Sequence, residues 1–245
     1  MTPESLRPDQ LLPDQLLPDQ LLPDDLRIAS VVFDLDGLLV NTEELYQAVG
    51  SDLLRRRGKI LSPDLLDAMM GRPQQVALAT MIAWHNLSDS IETLAAETKK
   101  SFSALLDSRL LPMPGAVALV EALVARGTAC GVATSSGPDF AHDVLERIRL
   151  RHRFAFVLTA ADVVHGKPDP EIYRTAASRL KIPTHTMLVL EDSQAGCRAA
   201  VLAGAVVVAV PSGRSLQHDF TGVRLIAESL DDPRLHALLR QHALT

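Results

Sequence analysis

Five short apolar runs, at residues 28–33, 128–133, 154–158, 187–190 and 205–210, constrain the fold of this 245-residue chain more than any other feature. Each is continuous rather than alternating. Runs of this length and kind suit strands buried on both faces, as in a parallel sheet covered by helices on either side. Helical patterns separate the later runs, at about 115–126, 138–147, 170–180 and 193–203. Regular strand–helix alternation predicts an α/β fold with a doubly wound parallel sheet.

One connection breaks the rhythm. Nearly 95 residues separate the first run from the second, far more than one crossover helix requires. Four stretches within it, 45–57, 64–70, 74–84 and 91–110, are helical in pattern, and Pro112-Met113-Pro114-Gly115 closes it with helix breakers. The expected organisation is therefore an α/β core made of 28–43 and 112–245, with an all-helical cap inserted at 44–111. Ahead of both, residues 1–27 hold a pentapeptide repeat with paired leucines and a proline every five residues. That spacing blocks both a continuous helix and a paired strand. So short an array cannot bury its own leucines, so it is expected to be disordered or loosely packed, with no assigned role.

Composition narrows the function. With 47% hydrophobic and 22% charged residues, the chain has an ordinary globular makeup. A net charge of -6 gives no basic field to attract nucleic acid. The sequence has no apolar run long enough to span a membrane and no signal-peptide layout, so a cytoplasmic location is expected. Cys130 and Cys197 sit in apolar or small-residue surroundings and are expected to be reduced, buried thiols.

The chemistry lies where the strands end, since ligands of open α/β sheets bind outside the carboxyl ends of the strands. The first run ends in Asp34-Leu35-Asp36-Gly37. Residues two apart on an extended chain share a side, so both carboxylates can face one pocket. One suits nucleophilic attack on phosphorus, the other general acid–base work. The second run ends in Thr134-Ser135-Ser136-Gly137, where hydroxyls and free backbone N–H groups can hold phosphate oxygens, or Ser136 can simply cap the next helix. Lys167 lies in a loop stiffened by Pro168 and Pro170 and can offset negative charge gathered there. Glu191-Asp192 closes the fourth run with hard oxygen ligands that suit Mg²⁺. Gly196, Ala199, Ala200 and Ala203 recur at helical spacing and let that helix approach the sheet. The Arg55-Arg56-Arg57 run is expected to be a solvated helix face, and His165 a surface residue without an evident partner.

Together these segments, with Asn41-Thr42-Glu43 and Lys167-Pro168, resemble the haloacid dehalogenase superfamily over about residues 28–232. Within it they are similar to the β-phosphoglucomutase-like branch, which includes sugar-phosphate phosphatases. The resemblance implies roles. Asp34 would be nucleophile and metal ligand. Asp36 would be the acid/base, with its backbone carbonyl on Mg²⁺. Thr134, Ser135 and Lys167 would bind the phosphoryl group, and Asp192 and Glu191 the metal. The helical insert would be a lid, with Arg72 a candidate for touching substrate. Asp36 disfavours dehalogenation, in which no leaving alkoxide needs a proton. The resemblance thus implies a Mg²⁺-dependent phosphatase acting on a small phosphorylated metabolite. A β-phosphoglucomutase-type mutase is the alternative. A catalytically idle binding module of the same fold is a third reading, disfavoured because Asp34, Asp36, Lys167 and Asp192 are all present.

Overall fold

The computed structural model describes residues 27–69 and 74–241. Arg72, and the repetitive leader up to residue 26, lie outside the described residues. Six parallel strands form one sheet in the order β3-β2-β1-β4-β5-β6. These are β1 (Ser30–Phe33), β2 (Ala129–Ala133), β3 (Val157–Leu158), β4 (Met187–Glu191), β5 (Val206–Ala209) and β6 (Leu225–Ile226). The chain winds outward from β1 through β2 to β3, then crosses back to β4 and winds the other way. The strand order therefore reverses between β1 and β4, the place where open α/β sheets open a crevice. In register, Val31 and Phe33 pair with Cys130 and Val132 on one side and with Leu188 and Leu190 on the other.

Side chains alternate between two cores. Val31, Phe33, Val132, Leu188, Leu190 and Val208 face the larger one. It is completed by α5 (Ala116–Ala125), α6 (Pro138–Arg147) and α9 (Pro233–Gln241), together with parts of α1 (Thr42–Arg56) and α4 (Ile91–Arg109). Val32, Ala133, Val189, Val207 and Ala209 face the other, under α7 (Glu171–Leu180) and α8 (Gln194–Ala203). Both faces are buried, which is why the strand sequences are continuous apolar runs. Strand β6 and helix α9 extend the fold past the elements expected from the sequence. Residues Leu225 and Ile226 form only two sheet-edge positions, too few to show a periodicity.

The long insert holds α1, α2 (Pro63–Met69), α3 (Gln74–His85) and α4, each close to its expected range. A small core of Leu54, Leu65, Leu78, Met81 and Leu94 joins these helices. The near ends of α1 and α4 instead pack into the larger core through Leu45, Val49, Leu53, Phe102 and Leu106. Helical character thus starts two residues before the expected cap boundary, and the first turn of α1 belongs to the sheet domain in packing.

The two linkers between insert and sheet run side by side. Asn41 N–H donates to Leu111 O at 3.2 Å, its side-chain oxygen accepts from Leu111 N–H at 2.8 Å, and its amide donates to Arg109 O at 3.2 Å. One asparagine thereby clamps both crossings. The run of three arginines does not form one solvated face. Arg55 and Arg56 pair with Asp52, but Arg57 is a part-buried clamp on Asp89 and Glu97.

Candidate active site

Asp34 follows the last residue of β1, its N–H bonded to Leu190 O at 3.0 Å on β4. Its side chain turns into the crevice at the strand-order reversal. There the Lys167 ammonium reaches three strand tips at once. It donates to Asp34 Oδ1 at 2.5 Å, to Ala133 O at 2.9 Å and to Glu191 Oε1 at 2.6 Å. The lysine side chain is only 5% exposed, so the rigid loop does position it. Burial works against its charge, but Asp34 and Glu191 outweigh that and hold it firmly protonated. Tyr173 of α7 donates to the same Glu191 oxygen at 2.8 Å, and its ring lies 5.2 Å from the ammonium. Ser193 N–H and Oγ–H occupy the other Glu191 oxygen at 3.2 and 3.0 Å. Glu191 is fully buried and bonded at both oxygens, which suits it to hold Lys167 in place.

Asp36 occupies a different setting. Thr42 Oγ donates to its Oδ1 at 2.7 Å, and Ser136 and Thr134 hydroxyls donate to Oδ2 at 2.7 and 3.2 Å. Hydroxyls both donate and accept, so this ring of three can support the carboxyl with or without its proton. Thr134 also accepts from Ser136 N–H at 3.0 Å. Ser136 does not cap α6, whose N-cap Gly137 makes no side-chain cap bond. Its hydroxyl serves Asp36 instead. Ser135 is exposed between them.

Asp192 completes the set. Its carboxylate lies over the turn after β1, where a Cβ on Gly37 would come within 2.4 Å of Asp192 Oδ2. Gly37 also has φ +80, a left-handed backbone that favours glycine, so both its shape and its lack of a side chain are needed. Gly196 is required for a related reason: a Cβ there would overlap the Glu191 carboxylate at 1.7 Å. The small residue thus makes room for a site acid, beyond letting α8 approach the sheet.

Asp34, Glu191 and Asp192 each place an oxygen within 4.8 Å of the others. Three carboxylates against one ammonium would leave two negative charges in a water-poor crevice if all were ionised. The carboxyls register this. Burial, with Glu191 and Asp36 adding to it against the pull of Lys167, pushes Asp34 up to about 8. Burial, then Glu191, Asp34 and Glu43, push Asp192 well above the usual carboxylate range. No donor among the described residues reaches the Asp192 carboxylate. A divalent cation fits this donor set in charge and in hardness. Asp34 and Asp192 offer lone pairs not already taken, whereas both oxygens of Glu191 are engaged.

Some contributors carry no sequence signal. Tyr173 lies on an amphipathic helix like any core tyrosine. Arg214, in the 3-10 turn Gly213–Gln217 after β5, forms an ion pair with Asp67 on α2, tying the sheet domain to the insert. His165 does have a partner: Glu171 lies 3.2 Å from Nδ1 and accepts from Val164 and His165 N–H at 2.9 and 2.8 Å, bracing the loop before Lys167. Both cysteines are free and buried, as expected. None of the described helices is long and apolar enough to cross a membrane.

The chain is similar to known proteins in sequence and fold. The profile of the haloacid dehalogenase-like hydrolases matches residues 31–210. A validoxylamine A 7′-phosphate phosphatase from Streptomyces hygroscopicus subsp. limoneus is 34% identical over 77% of this chain and 86% of its own. A phosphorylated carbohydrates phosphatase from Thermotoga maritima is 32% identical over 71% of this chain and 81% of its own. Among solved structures, a hydrolase of this type from Deinococcus radiodurans R1, with bound phosphate and sodium, superposes with a TM-score of 0.73. It is 25% identical, over 90% of this chain and 99% of its own.

Proposed function

The chain belongs to the haloacid dehalogenase-like hydrolases, and we propose that it is a Mg²⁺-dependent phosphatase that hydrolyses a small phosphorylated metabolite through an aspartyl-phosphate on Asp34. The observation that carries this reading is the contrast between two carboxylates two residues apart. Asp34 faces a buried ammonium and other acids, whereas Asp36 sits in a ring of hydroxyls. Paired carboxyls in unlike environments take different chemical roles.

Lys167 donates to one oxygen of Asp34, which keeps a second lone pair for a cation, and the other oxygen is left to attack. A lone pair of Asp34 forms a bond to phosphorus as the ester P–O bond breaks, and the departing alcohol oxygen takes its proton from Asp36. In the second half, Asp36 takes a proton from water. The water oxygen bonds to phosphorus, the acyl phosphate bond breaks, and inorganic phosphate leaves with Asp34 restored. The hydroxyls of Thr42, Thr134 and Ser136 hold Asp36 through both states. Lys167 offsets charge on the phosphoryl oxygens, and Glu191 and Tyr173 keep it aimed.

Mg²⁺ would be held by Asp34, Asp192 and the backbone carbonyl of Asp36, where it supplies positive charge against the phosphoryl oxygens. Glu191 acts chiefly through Lys167, a narrower role than direct metal ligation. The helical insert closes over the crevice, with Asn41 and the Arg214–Asp67 pair as its attachments. The relatives named for validoxylamine A 7′-phosphate and for phosphorylated carbohydrates support a small phosphomonoester substrate.

The test is phosphate release from a panel of phosphorylated sugars, polyols and nucleotides with and without Mg²⁺, with β-glucose 1-phosphate isomerisation followed in parallel. Mg²⁺-dependent hydrolysis that vanishes in Asp34→Asn supports the proposal. Isomerisation without net phosphate release would replace it with a mutase, and no turnover at all would reject catalysis.

A further inference from the structure

Three aromatic rings gather beside Asp36 and take no part in the chemistry above. Tyr46 lies one turn beyond Thr42 on α1, so the two side chains share a face, their Cβ atoms about 6 Å apart. Thr42 bonds one Asp36 oxygen. Ser136 bonds the other, and Phe140 stands four residues after it, in the first turn of α6. Phe102 of α4 stacks on Tyr46 with ring centres 4.2 Å apart and planes at 27°. Phe140 leans on both, 6.4 Å from Tyr46 and 5.7 Å from Phe102. Phe102 is buried, but Tyr46 is 47% exposed. Burial, and then the charge of Asp36, raise the Tyr46 phenol above its usual range.

A general acid must face the leaving oxygen, so an exposed ring on the open side of Asp36 borders the leaving alcohol. We propose that Tyr46, backed by Phe102, is a stacking platform for a planar ring on that alcohol, and that the substrates are phosphomonoesters of nucleoside-sized, ring-bearing alcohols. The proposal rests on the phosphatase reading and names its substrate class. Phe102 covers Tyr46 nearly in parallel and Phe140 stands beside it, while the ring stays 47% exposed, so part of its surface remains for an incoming ring to offset-stack. A three-carbon polyol has no face to stack.

The experiment measures kcat and KM with Mg²⁺ for uridine 5′-monophosphate, ribose 5-phosphate and glycerol 3-phosphate. It compares the native chain with Tyr46→Ala, Tyr46→Leu and Tyr46→Phe, each checked by thermal melting. The native chain should prefer uridine 5′-monophosphate over ribose 5-phosphate, the same pentose without a base, by about tenfold in kcat/KM. Tyr46→Ala and Tyr46→Leu should lose about tenfold on the nucleotide, mainly through KM, and stay within about twofold on ribose 5-phosphate. Tyr46→Phe, which keeps the ring, should retain the preference. Equal losses on both pentose substrates, or no preference in the native chain, would overturn the platform and leave the phosphatase reading intact. Absence of Mg²⁺-dependent release from all three would overturn the reading beneath it.

Discussion

Among the described residues that set one cation between two carboxylates, Arg57 and Lys167 behave in opposite ways. In the insert, Arg57 grips Asp89 with hydrogen bonds of 2.9 and 2.7 Å and Glu97 with bonds of 3.2 and 2.9 Å. In the crevice, Lys167 bridges Asp34 and Glu191. The Arg57 cluster keeps access to water, with side-chain exposures of 16%, 20% and 34%. Hydrogen bonds from Arg57 hold both its acids below the usual carboxylate range. The Lys167 cluster is almost dry, and a third acid, Asp192, stands beside it. There burial pushes Asp34 and Asp192 up. A hydrated cluster whose Glu97 is also within 3.5 Å of Arg56 has little charge left to offer a ligand. One that gathers three acids around one ammonium in a dry crevice, and so holds protons a cation can displace, is poised to take a cation. Ion-pair geometry alone would not separate the structural site from the chemical one; the charge balance and the water do.

The largest expected effect comes from the crevice nucleophile. Asp34→Asn should cut phosphate release by at least about a thousandfold while circular dichroism stays native, because the amide cannot attack phosphorus. Substituting the two cations then sharpens the contrast. Lys167→Ala should lower kcat by about a hundredfold or more. Arg57→Ala should lower Tm only modestly, because both acids keep access to water once unpaired, with kcat/KM changed by less than about threefold. An Arg57 variant that loses turnover without losing stability would break the distinction.

Acidity separates the clusters by sign. The folded-state value for Asp34, about 8, lies above its ordinary value. The native metal-free protein therefore binds the extra proton, and that contribution to stability fades as pH rises through about 4 to 8. Asp89 and Glu97 are shifted down, so their contribution is present above the ordinary carboxylate range and is lost as pH falls below it. Melting of the metal-free protein should show a Tm that falls from pH 5 to pH 8. Mg²⁺ should restore it at pH 8, and Asp34→Asn should flatten the slope. A Tm that rises over that interval without metal would contradict the binding of that proton. The smallest effect expected is from Ser136→Ala, which removes one of three hydroxyls at Asp36. It should slow turnover by about three- to tenfold, more on esters with poor leaving groups than on activated ones.

Much of the crevice is legible in the sequence because its parts sit at strand ends. A continuous apolar run announces a buried parallel strand, and a polar residue that ends it must lie at the sheet's carboxyl edge. That logic locates Asp34, Asp36, Thr134, Lys167, Glu191 and Asp192 on one rim, where the structure brings them together. What it cannot supply is partner choice. Nothing local marks Tyr173 as the donor to Glu191, or distinguishes Arg57 from its neighbours Arg55 and Arg56. These depend on which helix faces pack across 18, 32 or 40 residues of chain. Ser136 has the look of a helix cap by position, yet its hydroxyl is better used on a part-buried carboxylate than on an exposed helix start. Gly196 reads as a packing residue until the Glu191 carboxylate is seen in the space its Cβ would fill.

The most direct measurement is of the covalent bond itself. The protein would be mixed with Mg²⁺ and a turned-over phosphomonoester, quenched in acid within the first turnovers, and digested for peptide mass spectrometry. One phosphoryl group on the peptide carrying Asp34, absent in Asp34→Asn, is the predicted result. Steady turnover with no phosphoryl group on that peptide, or with the group on another residue, would contradict the account.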